Sequence, residues 1–425
     1  MTLALIAIVL VLILLGVPIA ISLGLGSVVM LVFWADNPLA VVSQKLFEVR
    51  DHYSLLAIPM FIFAGFLMDA SGMSERIVRA VAALLGFIRG GLSIVSVVTC
   101  MLFAGVSGSA VADAAAVGAV MLKPMKERGY EPAFSASLIG AAGCIGPIIP
   151  PSIAFIIFGV ATETSITELF LGGAIPGILI GLSLIVVAYV TAVRRNYPRE
   201  PLPPLRQMAT DLIGGLPAMF MMVIVLGGIL GGIFTATEAS VAAVAYGLAI
   251  GTAFYRSLSW AQIYAAMIRT MDATVTVLWL IACASLLSWI LTSEGVPEVV
   301  GKFMFGLTTD PLWLLFLIAI LYLVVGMLID VAPAILMLVP VLFPVAVKAG
   351  IDPVHLGVVT ITGLAIGLIT PPTAPCLMIT AGIAEVSAAR AFRAVWPMVL
   401  AMTAVLFLVV FFPSLALWLP QLVRN

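Results

Sequence analysis

The chain has 425 residues, of which 63% are hydrophobic and 9% charged, whereas soluble domains carry about a quarter charged residues. Its 19 basic and 20 acidic residues nearly cancel, so no basic surface indicates nucleic acid as a partner. The composition excludes a soluble enzyme and predicts an all-α polytopic membrane protein within a lipid bilayer.

Apolar stretches long enough to cross a bilayer recur along the chain, since one crossing needs about 20 apolar residues. Full-length candidates are 3–34, 133–160, 169–193, 213–234, 274–292, 354–383 and 394–418, with shorter ones at 55–70 and 239–255. The first stretch is too long for a signal-peptide core and lacks a cleavage site. We therefore expect it to stay as one membrane helix that starts from a cytoplasmic N-terminus.

Two further regions, 92–123 and 312–348, each contain two shorter apolar runs that meet at a polar or glycine-bearing point. The meeting points are Gly105–Ser109 and Gly326–Asp330. A backbone turn within hydrocarbon is tolerated only where it is buried in protein or lines a wet cavity. We therefore predict two re-entrant helical hairpins, with two kinked full-length spans as the alternative.

Positive charges predict the orientation, because cytoplasmic loops favour Lys and Arg. The base of the first hairpin and the linker 194–212 are rich in basic residues, so we expect both in the cytoplasm. The turns at Glu163 and Glu238 lack basic residues and are expected outside. This alternation makes the second hairpin open from the outside, opposite to the first.

A shift of 221 positions superposes glycines and prolines of the two halves. The matched positions are Gly105 with Gly326, Gly129 with Gly350, Pro132 with Pro353, Gly146 with Gly367, Pro150-Pro151 with Pro371-Pro372, and Pro176 with Pro397. Chance would give roughly one or two such coincidences. The halves are therefore predicted to form an inverted repeat, by which many secondary transporters place a binding site at mid-membrane.

The repeat divides the chain into scaffold and transport regions. We expect first-half scaffold helices and an interfacial arm at 1–88, a transport region at 89–168, scaffold helices with the linker and a second arm at 169–308, a second transport region at 309–393, and a C-terminal scaffold helix at 394–425. The arms are the mixed-polarity segments 74–88 and about 298–308, just before each hairpin.

A proline pair interrupts one long apolar span in each half, at Pro150-Pro151 and Pro371-Pro372. Proline offers no N–H, and its ring clashes with the carbonyl four residues back. We therefore expect broken helices at 133–160 and 354–383, with the carbonyls of Gly146 and Gly367 left free. Such carbonyls suit a small cation such as Na⁺, and discontinuous transporter helices use them for coupling ions. Simple kinks are the alternative.

Each half is expected to hold one Na⁺ site where its hairpin tip meets its broken helix. The first set is Ala104, Ser107, Gly146 and Pro150, and the second is Gly326, Gly367, Thr370 and Thr373. We also expect Ser152 and Thr373 to cap the second half-helices.

Half-helix N-termini near Ser109 and after Asp330 carry partial positive charge and would face an anionic substrate. The expected substrate-binding residues are Ser107, Ser109, Asp330 and Ser152. Asp113 allows two interpretations, a functional carboxylate at mid-membrane or a residue that caps or solvates a hairpin arm. Asp69 is close enough to a span end to be solvated and is left out.

Three motifs resemble the large membrane subunit of tripartite ATP-independent periplasmic (TRAP) transporters. They are Phe103–Asp113, Gly146–Ser152 followed by Phe158-Gly159, and Gly326–Pro333 followed by Thr370-Pro371-Pro372. The resemblance extends over essentially the whole chain. It implies an inverted-repeat, elevator-type ion transporter fold whose two sodium sites fall on the residue sets above.

The resemblance also implies Na⁺-coupled uptake of an organic anion, typically a C4-dicarboxylate or a sialic acid, across the bacterial inner membrane. The implied partners are a separate small four-helix membrane subunit and a periplasmic substrate-binding protein that delivers the anion. A related inverted-hairpin symporter that needs no binding protein is the main alternative. A passive channel and a membrane-embedded enzyme are the others, and the sequence shows no nucleophile–base or zinc-ligand grouping for an enzyme.

Overall fold

The computed structural model describes residues 2–33 and 39–424, so the outer limits expected at residues 1, 34 and 425 lie outside the described residues. Within these two ranges every regular element is a helix and there is no strand. Six segments are long and apolar enough to cross a membrane alone: Tyr53–Ala70, Ile166–Arg194, Leu205–Leu230, Ala236–Phe254, Trp260–Ser293 and Val331–Lys348. The prediction of an all-α polytopic chain is confirmed.

The first half contains ten helices in its described part. They are α1 (Thr2–Leu14), α2 (Ile19–Phe33), α3 (Ala40–Glu48), α4 (Ala57–Ala70), α5 (Met73–Leu85), α6 (Gly91–Ser107), α7 (Ala110–Glu127), α8 (Pro132–Gly143), α9 (Ile153–Thr162) and α10 (Ile166–Arg194). Short 3₁₀ turns at Val49–Asp51 and Tyr53–Leu56 lead into α4.

The second half follows the linker, of which residues from Leu205 onward are already helical. Its helices are α11 (Leu205–Leu230), α12 (Ala236–Ala249), α13 (Trp260–Ser293), α14 (Val296–Leu307), α15 (Pro311–Gly326), α16 (Val331–Lys348), α17 (Pro353–Gly367), α18 (Pro375–Ile383), α19 (Ala388–Ala394), α20 (Trp396–Phe411) and α21 (Ser414–Arg424). A π-helical turn at Ile250–Phe254 extends α12.

The expected single helix over 3–34 is wrong, because the chain turns back at Gly16. Gly16 has a φ of +82°, a conformation that glycine adopts without steric cost. Helices α1 and α2 pack side by side, so closely that a Cβ at Gly26 would lie 2.6 Å from Cγ2 of Val9. Both ends of this segment therefore lie at the same end of the molecule. The expected cytoplasmic N-terminus assumed that residues 3–34 cross the membrane once, and residues 2–33 do not do so.

Both helical hairpins are confirmed. Helices α6 and α7 pack against each other, as do α15 and α16. The first hairpin turns at Gly108, whose φ is +60°, and the second turns at 327–330. Each arm has 16 to 18 residues, and at 1.5 Å per residue such arms span about 25 Å, less than the roughly 30 Å of hydrocarbon.

Both broken helices are also confirmed, and their second halves are exchanged between the repeats. Residues 144–152 separate α8 from α9, and residues 368–374 separate α17 from α18. The Pro150–Pro151 and Pro371–Pro372 peptide bonds are both cis. Helix α9 packs on α16 of the second hairpin, and α18 packs on α7 of the first.

The exchange shows that the repeats are inverted. Ile157 and Ala161 of α9 share a cavity wall with Leu336 and Pro340 of α16, so α9 lies along the second arm of the second hairpin. Helix α18 runs beside α7 toward the base of the first hairpin, where Lys126 Nζ lies 3.4 Å from Glu385 Oε2. The bases of the two hairpins therefore lie at opposite ends of the molecule.

One end of the molecule carries the basic segments that the charge pattern assigns to the cytoplasm. Arg89 Nη2 donates to Asn196 Oδ1 at 2.6 Å, and Arg128 Nε lies 2.5 Å from Glu200 Oε1. Arg195 pairs with Glu131. These contacts bring the base of the first hairpin and the linker together, as the predicted topology requires.

Three helices, α10, α20 and α21, differ in detail from the expected scaffold, whereas α14 lies as an arm should. Helix α10 contacts α6 and α17, and α20 contacts α15 and α17, so both pack on hairpin and broken-helix elements. The C-terminal segment, expected as one helix, bends by 60° between α20 and α21. Helix α14 meets α15 at 117°, so the second arm lies across the hairpin that follows it.

Ala161 and Arg390 are both exposed, and we expect Ala161 on the outer face of the membrane and Arg390 on the cytoplasmic face. The four native cysteines are buried, so an impermeant maleimide should label the wild type weakly. In intact spheroplasts Ala161→Cys should react and Arg390→Cys should not, whereas both should react in opened membranes. Labelling of both variants in intact cells would contradict the predicted orientation.

Candidate functional site

The tip of the first hairpin lies directly against the break between α8 and α9. A Cβ at Gly146 would lie 2.6 Å from Asp113 Oδ2 and 3.0 Å from the carbonyl carbon of Ser109. A Cβ at Gly108 would lie 2.8 Å from the Pro151 carbonyl oxygen. Only glycines permit this approach, so the structure joins two segments that the sequence analysis assigned to one site.

Asp113 is at the centre of this contact and is only 1% exposed. Its Oδ1 accepts a hydrogen bond from the Ser107 hydroxyl, which itself accepts from the Ser109 N–H at 3.2 Å. Its Oδ2 is buried and has no hydrogen-bond partner in the described part of the chain. Asp113 is not the cap of α7, which is Ser109, and a buried oxygen without a partner from the chain is available to a ligand.

Gly146 packs against that oxygen, and its carbonyl has lost its helical donors. Pro150, four residues later, has no N–H, and the Ile149 N–H donates to Ile145 O at 3.0 Å instead. Ala104 is fully buried in the last turn of α6, next to the tip. Carbonyl and carboxylate oxygens in this arrangement are hard ligands of the kind that a small cation prefers.

The second hairpin meets its own broken helix through closely packed backbone and one side-chain hydrogen bond. A Cβ at Gly367 would lie 2.1 Å from the Gly326 carbonyl carbon, and one at Gly326 would lie 2.7 Å from Leu364 O. The Thr373 hydroxyl donates to Met327 O at 2.6 Å. Gly326, Gly367 and Thr373 are thus brought together, and the buried Thr370 lies within the same break.

Two local expectations for the second break are wrong. The Gly367 carbonyl is not free, because the Thr370 N–H donates to it at 2.9 Å in a tighter 3₁₀-type bond. Thr373 does not cap α18, because the residue that precedes this helix is Ala374, in a left-handed conformation. The Thr373 hydroxyl is used between segments instead.

The expected cap at Ser152 is confirmed, and Ser109 and Asp330 prove to be caps as well. The Ser152 hydroxyl accepts from the Phe155 N–H at 3.2 Å and donates to Pro147 O. Ser109 caps α7, and Asp330 caps α16 by accepting from the Val331 N–H at 2.7 Å. Two half-helix N-termini therefore begin at the hairpin tips, as the sequence predicts.

A cavity of about 700 Å³ reaches the first tip from the basic end of the molecule. Ser107, Ser109 and Asp113 line its inner end, and Asp69 and Glu75 line its mouth. The walls between them come from α4, α7 and α13. The mouth lies beside the α4–α5 turn, so the cavity opens at the end that the charge pattern assigns to the cytoplasm.

Two expected substrate-binding residues lie away from this cavity. Ser152 is fully buried and its hydroxyl is used in the cap, while Asp330 lies at the exposed second tip. Asp69, which was expected only to be solvated at a span end, lines the mouth instead. Its position before the α4–α5 turn gave no signal of a cavity, because the facing wall comes from a distant hairpin.

A family model described as the DctM component of the tripartite ATP-independent periplasmic transporter matches residues 6–415. The chain is 39% identical over 386 residues to the 2,3-diketo-L-gulonate TRAP transporter large permease protein YiaN of Escherichia coli, with 91% of each chain covered. It is 36% identical over 396 residues to the C4-dicarboxylate TRAP transporter large permease protein DctM of Pseudomonas aeruginosa, covering 93% of this chain and 92% of that relative.

Among solved structures, the chain is similar to the YdaH transporter of Alcanivorax borkumensis, with a TM-score of 0.66 and 16% sequence identity. The match covers 91% of this chain and 90% of that chain. At this identity the likeness concerns the fold alone, and it supports a helical membrane transporter fold.

Gly367→Ala should destabilise the second hairpin, because the added Cβ would collide with backbone atoms that cannot rotate away. We expect a loss of roughly 1–3 kcal/mol, typical of overpacking, measured as a lower melting temperature of the purified protein in detergent. Gly382→Ala, in the neighbouring α18 with open space around it, is the matched control and should melt no lower than the wild type. Equal melting of the two variants would contradict the close contact.

Proposed function

The chain belongs to the DctM component family of tripartite ATP-independent periplasmic transporters, and we propose that it is the large permease subunit that moves an organic anion inward in symport with Na⁺. The two relatives named above carry a sugar acid and a C4-dicarboxylate by their names. A carboxylate, such as a C4-dicarboxylate or a sialic acid, is therefore the proposed substrate class.

The observation that carries the sodium proposal is the partnerless Asp113 Oδ2 against Gly146. A sodium ion held by this oxygen, the Gly146 carbonyl, the Ser107 hydroxyl and the carbonyls of Ala104 and Pro150 would neutralise the buried carboxylate. The second ion would bind where Gly326, Gly367, Thr370 and Thr373 meet. The first set contains an acidic side chain and the second is mostly backbone, so we expect the first site to bind Na⁺ more tightly.

The proposed movement is an elevator motion of the hairpins and broken helices against a scaffold. The packing of α10 and α20 on these elements supports including both in the moving body. The scaffold then consists of α1–α4 and α11–α13 with the two arms. Moving one net charge across the membrane is worth about 2.3 kcal/mol per 100 mV, so Na⁺ in excess of the anion's charge lets the membrane potential drive uptake.

The proposed partners are a small four-helix membrane subunit and a periplasmic substrate-binding protein, as the tripartite family description implies. The proposed location is the bacterial inner membrane, with multiple crossings. A binding protein would deliver the anion from the side opposite to the inward-open cavity.

Proteoliposomes that contain the chain and its partners should take up a labelled carboxylate only under an inward Na⁺ gradient. The control is a K⁺ gradient of the same concentration ratio in place of the Na⁺ gradient. Uptake that ignores Na⁺ would overturn the coupling, whereas Na⁺-driven uptake by this chain alone would favour the symporter that needs no binding protein.

Asp113→Asn should raise the Na⁺ concentration needed for half-maximal uptake at least tenfold, because it removes the charge at the first site while keeping the side-chain shape. Loss of a hydrogen bond or ligand to a charged group corresponds to roughly 1.5–3 kcal/mol. Ser107→Ala and Thr370→Ala should weaken the Na⁺ response in the same direction.

The matched controls are Asp51→Asn and Ser43→Ala, both at exposed positions outside these sites. Neither should change the Na⁺ response. Unaltered Na⁺ dependence in all three site variants would mean that the ions bind elsewhere.

A further inference from the structure

A second pocket, of about 320 Å³, lies between α5, α11 and the end of α12, away from the transport site. Its lining includes Arg76 and Arg79 of α5, Asp211 of α11, and Tyr255 after α12. All three segments lie at the end that the charge pattern assigns to the cytoplasm. Two guanidinium groups against one carboxylate leave the lining with one net positive charge.

Arg76 is held in place without an anionic partner. Its Cζ lies 4.0 Å from the centroid of the Tyr255 ring, and the Tyr255 hydroxyl donates to Gly214 O at 2.6 Å. The Nε of Arg76 is buried and has no hydrogen-bond partner among the residues that the structure describes. A buried guanidinium N–H without an acceptor is unfavourable unless a ligand supplies one.

Neither Arg76 nor Arg79 forms an ion pair within the described ranges, although Asp211 lines the same pocket. Arg79 is exposed, and Arg76 is half-buried on the same face one turn away. Guanidinium groups match the oxygens of a phosphate through two parallel hydrogen bonds. The pocket therefore has the donors for a phosphate group.

An apolar rim distinguishes this pocket from a site for a soluble phosphate. Ile213 and Phe254 line it and are 63% and 57% exposed. Helix α5 buries Ile77 and Val81 against the protein, as expected for an arm along the membrane interface. A cationic pocket with an exposed apolar edge at this depth fits a phosphate that carries acyl chains.

We propose that Arg76 and Arg79 bind the phosphate of an anionic phospholipid of the cytoplasmic leaflet, with an acyl chain on Ile213 and Phe254. Basic pockets between membrane helices on the cytoplasmic side bind such headgroups. The bound lipid would link α5 to α11 and fix the arm that leads directly into the first hairpin. This inference does not depend on Na⁺ coupling.

The test is native mass spectrometry of the detergent-purified chain with phosphatidylglycerol or with phosphatidylcholine of the same acyl chains. The wild type should retain phosphatidylglycerol preferentially. Arg79→Gln should weaken this binding about fivefold, the factor that corresponds to the roughly 1 kcal/mol contributed by one cation near an anionic membrane surface. Arg390→Gln, exposed at the same end and outside the pocket, is the matched control and should bind as the wild type does.

Arg76→Lys tests the geometry of the buried group, because it keeps the charge but loses the planar fork. It should also weaken phosphatidylglycerol binding while the melting temperature stays within a few degrees of the wild type. Equal retention of the two lipids, or unchanged binding in Arg79→Gln and Arg76→Lys, would overturn the proposal. Displacement of phosphatidylglycerol by millimolar inorganic phosphate would overturn the assignment to a lipid.

Discussion

The structure depends on the contact between each hairpin tip and the break in the helix that follows it. A chain that turns or unwinds within hydrocarbon leaves peptide groups that water cannot reach. Here those groups are enclosed by backbone from a second segment, and the approach is close enough that Gly146, Gly326 and Gly367 leave no space for a Cβ. The same packing that makes the breaks tolerable therefore collects oxygen atoms in the middle of the protein.

The two contacts are related by the repeat but are chemically different. The first encloses a carboxylate with a partnerless oxygen, and the second is closed by hydrogen bonds from Thr373 to the Met327 carbonyl. Equivalent positions in the inverted repeat thus have the same backbone path but different polar groups. The difference is the reason for expecting unequal Na⁺ affinity at the two proposed sites.

The sequence predicts those features that follow from local chemistry. Proline pairs break helices wherever they occur within a span, so both broken helices are predictable from Pro150 and Pro371. The repeat follows from the spacing of these pairs, and its inversion follows from the charges of the loops. Features that depend on contacts between distant segments do not follow from local chemistry. The free Asp113 oxygen depends on Gly146, and the Thr373 hydroxyl on Met327. The turn between α1 and α2 at Gly16 is not visible in the hydropathy, which stays high across it. Pro18, two residues later, is the local sign of a break.

The exchange of half-helices has a consequence for how the protein can move. Since α9 packs on the second hairpin and α18 packs on the first, each repeat contributes a half-helix to the packing of the other. If one proposed ion-binding region changed its depth in the bilayer and the other did not, these helices would have to unpack. The two regions therefore form one mechanical unit, so that cations and anion would cross together or not at all.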